Sequence, residues 1–381
     1  MASDKIPLFD LNFGDEEAHA VAETVRSGWI SMGPKTAALE ERFAAHLGTA
    51  HAVCVGSCTA ALHLALALVV KPGDEVIVPS LTFVATVNAV RYVGAIPVFA
   101  DIKGPDDLTL DMQDVKRKIS PRTRAVVVMH YAGFACDMAA LANLAREHDL
   151  RVVEDAAHAP ISSVDGRSLG TIGDIGCFSF FSNKNITCAE GGMLVTADDE
   201  FARHARLMRA HGMTSVSYDR VKGHATSYDV VELGYNYRID DIRASLALAQ
   251  FGKLHADAEC RRVLRARYED NLRDVEGVVV PFTSHAHPSS NYIFPIVLRR
   301  GGADGRERVR QRLADEGIQT SVHYSPVHRF SIYRDAAVSL PQTEFAGDHE
   351  ITLPLFGRMS PAQVDRVTQV LKSVLQEEAV S

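Results

Sequence analysis

Up to about residue 200 the chain alternates between short apolar runs and segments of helical period. His51-Ala-Val-Cys-Val55, Glu75-Val-Ile-Val78, Ala95-Ile-Pro-Val-Phe-Ala100, Arg124-Ala-Val-Val-Val-Met-His130 and Arg151-Val-Val-Glu-Asp155 read as strands. Several are rich in valine and bounded by turn residues, the pattern of strands covered on both faces. Between them lie helices. Asp15 to Arg26 and Lys35 to His46 carry apolar residues at helical spacing, and Ala60 to Val70, interrupted by His63, reads as a core helix.

Strand followed by helix, repeated, predicts a mainly parallel sheet with helices on both faces. Ligands in such sheets sit outside the carboxyl ends of the strands. Gly56 to Thr59, His130 and Asp155 all fall at such ends, which points to one site.

Beyond Met193-Leu-Val-Thr196 the pattern changes. A charged helix is expected over Asp198 to Arg209, a mobile polar segment over Met213 to Ser227, and a helix over Ile242 to Leu254. A further helical stretch, from about Asp257 to Val275, should lead into a smaller unit. Its strands are expected at Tyr292 to Leu298 and Thr320 to Tyr324, its helices at Gly305 to Glu316 and Pro361 to Glu377. The expected division is a large domain over 1–254, with an extended N-terminal arm, and a small C-terminal domain over 255–381.

Composition narrows the class. The 381 residues are 46% hydrophobic and 23% charged, ordinary for a soluble enzyme. A net charge of −8 disfavours a nucleic-acid binder, which would show a basic excess. The six cysteines form no C-x-x-C pair and read as reduced thiols of a cytoplasmic protein. No apolar run is long enough to span a bilayer, and the N-terminus lacks an apolar signal core.

The candidate chemistry centres on residues 151–196. A buried-type strand delivers Asp155 at its carboxyl end. Downstream, Gly176-Cys-Phe-Ser179-Phe-Phe-Ser-Asn-Lys184 sets a lysine among polar residues just after an apolar segment, and Glu190-Gly-Gly192 follows. A lysine able to form a Schiff base and a carboxylate for a pyridinium nitrogen are what pyridoxal 5'-phosphate (PLP) requires. That cofactor also needs a phosphate cradle and a wall for its ring. Gly56-Ser57-Cys58-Thr59 links a strand to a helix start, where free N–H groups face an anion. Phe83 supplies an aromatic ring, although from spacing alone it reads as a core residue. Asp155 also fits a helix cap, and His158 a satisfied core histidine. His323 and His328 have no local carboxylate or cysteine, so no metal site is expected.

These segments resemble the sugar-nucleotide aminotransferases of the DegT/StrS type, within the aspartate-aminotransferase fold. The similarity runs from about Ile6 to Leu371 and is most specific at Glu154-Asp155-Ala-Ala-His158, Ser179 to Lys184, and Tyr235-Asn236-Tyr237-Arg238. The resemblance implies an α/β fold with a seven-stranded, mainly parallel sheet and a smaller α+β domain. It implies Lys184, Asp155 and His158 as catalytic, with His158 near the PLP 3-oxygen. It assigns Ser57, Cys58, Thr59, Phe83, Ser179 and Asn236 to cofactor binding, Asn236 reaching the phosphate in a neighbouring subunit of a homodimer. Trp29, Met32, Arg238, His323, Tyr324 and His328 are the implied substrate contacts. Cys58 departs from the family's Ser-Gly-Thr, as do Cys188-Ala189 and Ile239-Asp240 from its usual pairs. None of these changes removes a catalytic group.

The function so implied is transfer of an amino group, from L-glutamate as donor, to a nucleotide-linked 4-keto-6-deoxy sugar. A 3-keto sugar or a cyclitol ketone is the alternative acceptor. A PLP-dependent sugar dehydratase would carry histidine in place of Lys184. A nicotinamide dehydrogenase would show G-x-G-x-x-G after a strand, which is missing.

Overall fold

The computed structural model describes residues 5–214, 228–335 and 337–380. In chain order α1 (Asp15–Arg26) and α2 (Pro34–Leu47) lead to β1 (His51–Val55), α3 (Cys58–Val69), β2 (Glu75–Pro79), α4 (Val84–Tyr92) and β3 (Ile96–Ala100). A hairpin, β4 (Ile102–Gly104) and β5 (Asp107–Leu110), precedes α5 (Met112–Lys118), β6 (Thr123–Met129), α6 (Met138–His148) and β7 (Arg151–Asp155). A second hairpin, β8 (Ser163–Val164) and β9 (Arg167–Ser168), is followed by β10 (Ile175–Ser179), β11 (Gly192–Thr196) and α7 (Asp199–Met208).

Seven of these strands form one sheet in the order β1-β11-β10-β7-β6-β2-β3. All neighbours are parallel except β11, which runs antiparallel to both β1 and β10. The apolar runs have a direct cause in this layering. Val53 and Val55 of β1 face a core shared with α3, while Ala52 and Cys54 face one shared with α2. In β6, Ala125 and Val127 point one way and Val126 and Val128 the other, into the α6 side. A strand covered on both faces favours apolar residues at successive positions.

The remaining chain holds α8 (Asp241–Leu272), β12 (Val278–Val279), β13 (Phe294–Leu298), α9 (Gly302–Asp315), α10 (Pro341–His349), β14 (Glu350–Leu353) and α11 (Pro361–Val380). Strands β12, β13 and β14 make a second, antiparallel sheet. The two helices expected on either side of His255 are one helix of 32 residues. No proline or glycine interrupts it there, and Gly252 is tolerated within it. Its first half packs Ala247, Phe251 and Leu254 beneath the large sheet; its second half packs Leu264, Tyr268 and Leu272 against the small one. We propose that the two units divide within this helix, where its packing partners change, and not at a break in the chain.

One further expectation differs. Residues 320–324 form no strand: Ser321 makes an isolated bridge to Thr352, and the His323 N–H donates to the Glu350 side chain instead of to a ladder. Ile6, in the N-terminal arm, bridges Ile318 and packs in the core of the small sheet, and we propose that the arm belongs with that unit. Most of the polar segment expected to be mobile, from residue 215 to 227, lies outside the described residues.

Candidate active site

A cavity of about 370 Å³ opens at the carboxyl edge of the large sheet. Ten of the residues singled out above line it: Ser57, Cys58, Thr59 and Phe83, then Asp155, His158, Ser179 and Lys184, with His323 and Tyr324 from the small unit.

The floor is built by the ends of adjacent strands. Gly192, at the start of β11, stands opposite both Val55 of β1 and Ser179 of β10. Beyond Val55 the chain turns into α3, capped by Ser57, whose Oγ accepts from the Ala60 N–H at 3.2 Å. Cys58 and Thr59 occupy the first helical positions, so their N–H groups have no partner within the helix and face an anion site. A Cβ on Gly192 would lie 2.4 Å from the Ser57 carbonyl carbon and 2.5 Å from the Cys58 nitrogen. Only glycine lets this turn settle against β11.

Asp155 ends β7 and is buried. Its Oδ2 accepts from the Thr86 hydroxyl at 2.7 Å and its Oδ1 from the Ala157 N–H at 3.1 Å. Burial raises its pKa, opposed by those two bonds and by the charge of Lys184. A desolvated carboxylate of this kind gains most from a cationic partner. Behind it His130 does not reach the cavity, because Nε2 pairs with Glu154 at 2.8 Å in the interior.

His158 Nδ1 accepts from the Ala132 N–H at 3.3 Å, so the neutral ring carries its proton on Nε2. That proton points along the 3.0 Å contact to the Tyr324 hydroxyl. Burial, then the charges of Lys184 and His323, holds the imidazolium form well below its usual pKa. The ring is fixed by Tyr292, 4.1 Å away between centroids. The same Tyr292 ring lies 4.0 Å from the Lys184 Nζ. Phe180 and Cys188, joined by a backbone bond, are buried beneath the loop that carries this lysine.

A model of the DegT/DnrJ/EryC1/StrS aminotransferase family matches residues 12–372. The chain belongs to that family. Its enzymes are PLP-dependent aminotransferases. The chain is 38% identical over 372 residues to the spore coat polysaccharide biosynthesis protein SpsC of Bacillus subtilis, covering 95% of each. Among solved structures, the aminotransferase TlmJ of Streptoalloteichus hindustanus superposes with a TM-score of 0.91 at 36% identity, covering 99% of this chain and 100% of that one. Spr1654 of Streptococcus pneumoniae, described as a sugar aminotransferase and solved in a PLP form, gives 0.91 at 30% identity, covering 98% and 99%.

Five residues expected at the family's site lie outside the cavity. Met32, Asn236 and Arg238 line a separate cleft of about 210 Å³. Trp29 packs over Gly33, where an added Cβ would strike its indole. His328 is buried with Nδ1 2.7 Å from the Ser80 hydroxyl and Nε2 3.4 Å from Glu344, which ties the small unit to the strand end after β2.

Asn183 and Glu190, from the segments that carry the candidate chemistry, also line the cavity, whereas Thr86 and Tyr292 were not anticipated. Thr86 lies one helical turn from Phe83 and was within reach of sequence reasoning, because a hydroxyl at a helix start near a strand-end acid invites a bond. Tyr292 was not, since it comes from a distant segment that only the assembled fold brings under Lys184.

Proposed function

We propose that this chain is a PLP-dependent aminotransferase that passes an amino group from an amino acid, L-glutamate in the first instance, to the ketone of a nucleotide-linked 4-keto-6-deoxy sugar. The observation that carries the reading is a single one: a lysine, a buried acid and an anion-binding turn converge on one cavity at the sheet edge.

The residues fit the cofactor. Gly192 keeps the cradle open, and the buried Asp155 awaits a cation. Lys184 would carry the cofactor, Asp155 would pair with its ring nitrogen, and the Cys58 and Thr59 N–H groups with Ser179 would take its phosphate. Phe83 and His158 would fix the ring plane. When bound, PLP supplies an electron sink that lets the carbon beside an amine give up a proton. The Lys184 amine would serve there as the base and acid that holds and moves that proton. Tyr292 beneath Nζ limits where the lysine swings, and His158 passes its fixed Nε2–H to Tyr324 as a donor.

A homodimer with shared sites belongs to the same reading. Asn236 lines a cleft separate from its own chain's cavity, and Phe83, Phe181, Val230, Val231 and Leu233 are exposed apolar residues. Apolar exposure of this kind marks a surface that meets a partner.

The test is to load the protein with the amine form of the cofactor and mix it with nucleotide-linked 4-keto sugars, 3-keto sugars and cyclitol ketones. Return of the pyridoxal-form absorbance with a 4-keto sugar supports the proposal. Return only with a 3-keto sugar or a cyclitol ketone moves the acceptor. No return with any of them, in protein that glutamate had converted, overturns the sugar substrate.

A further inference from the structure

Glu350 is a buried carboxyl at the start of β14, with no ion pair among the described residues. Its Oε2 accepts from the His323 N–H at 2.7 Å. Its Oε1 lies 2.5 Å from the Thr352 hydroxyl, and that hydroxyl lies 2.8 Å from His323 Nδ1. His323 lines the active-site cavity. A continuous chain of hydrogen bonds therefore runs from a sealed carboxyl to the reaction chamber.

A threonine hydroxyl has one proton to donate. When Glu350 is ionised, Thr352 donates to the carboxylate and must accept from His323, so the imidazole proton sits on Nδ1 and Nε2 is bare. When Glu350 is protonated, it donates to Thr352, Thr352 donates to Nδ1, and the imidazole proton sits on Nε2. We infer that Glu350, acting through the Thr352 hydroxyl, sets which ring nitrogen of His323 carries the proton. In one state His323 offers the cavity a donor, in the other an acceptor.

The proton count closes. When the protonated carboxyl ionises, Nε2 releases one proton, Nδ1 takes the Thr352 proton, and Thr352 takes the one from Glu350. The negative charge stays on the sealed carboxylate. The surroundings support this. Burial pushes Glu350 up to about 8, against its bonds to Thr352 and His323 and the charges of Arg306 and Arg310 on α9. Those arginines donate elsewhere, to the Gly347 carbonyl and to Thr320 and Glu307. Tyr131 faces the group from the turn after β6 and donates to the His323 carbonyl. Burial and then the charge of Lys184 hold the His323 imidazolium down to about 3, so the ring stays neutral in both states.

Glu350 is thus a positioning residue. A donor at His323 suits the oxygen of a bound keto sugar; this use rests on the proposed function, whereas the tautomer does not. The test is ring-nitrogen NMR of the holoenzyme labelled with ¹⁵N-histidine, with His323→Gln to identify the signal. From about pH 6 to about pH 9.5 the His323 proton is expected to move from Nε2 to Nδ1 in wild type. In Glu350→Gln it should stay on one nitrogen throughout. Thr352→Val, which keeps the shape, should also uncouple the ring and serves if the first variant does not fold. A His323 tautomer that is fixed in wild type, or that changes alike in both variants, overturns the inference. The readout needs no sugar, so a failed substrate panel leaves it standing.

Discussion

Single side chains decide most of what this protein can do. Lys184→Ala should lower turnover by about 10³-fold or more, since acid–base transfer alone contributes up to about 10⁴; a steady-state assay with glutamate checks it. Asp155→Asn keeps the shape and removes the charge, and should lower kcat by about 100-fold, the scale of a lost electrostatic contact. Glu350 gives a stability prediction of defined sign. Its folded pKa, about 8, lies above the value for a free glutamate. Stability from the protonated group is full below the free value and is lost as pH rises through about 8. Glu350→Gln should therefore match wild type near pH 5 and melt several degrees higher near pH 9, measured by calorimetry. At this scale the sequence was legible where chemistry is local. Asp155 and Lys184 stood out because a strand-end acid and a lysine in a polar loop are unusual neighbours. Glu350 and Tyr292 did not, because their roles depend on residues far away in the chain.

Elements were legible where one period dominates. The five strands expected for the large sheet lie within one residue of their bounds and the helix Asp15–Arg26 matches its own, because burial on two faces, or one, enforces the pattern. The sequence misled where side chains replace backbone partners. Residues 320–324 alternate like a strand, yet Glu350 takes the His323 N–H and no ladder forms. The helix Pro341–His349 was missed, although Pro341 stands at its first turn, because its apolar pattern is weak. Gly192→Ala tests how tightly elements meet at the site. A methyl so close to the Ser57–Cys58 backbone should cost about 1–3 kcal/mol through overpacking. If the phosphate turn absorbs it, PLP affinity should fall by about tenfold, which a cofactor titration would show.

At the scale of the whole molecule the open question is assembly. If Asn236 completes the site of a second copy, mixing inactive Lys184→Ala and Asn236→Ala chains should restore activity. Half of randomly paired dimers are mixed and each has one intact site, so about a quarter of wild-type activity is expected. No recovery after re-association would place Asn236 outside any shared site. The change of pattern after residue 200 matches the passage from the seven-stranded sheet to the three-stranded one. The continuity of that passage was not legible: a single helix carries the chain from one core to the other, and local sequence offers no sign of which core each half will meet.

One consequence follows from the placement of Gly192 opposite both Val55 and Ser179. The anion-binding turn and the lysine loop leave the sheet from β1 and β10, with β11 between them. Their separation is a count of hydrogen-bonded strands, about 4.8 Å for each step. Such a distance changes only in whole steps. Helices around the sheet can exchange side chains over long divergence while the gauge of the site holds constant, so drift in this lineage should show in what the cavity admits before it shows in how the cofactor is held.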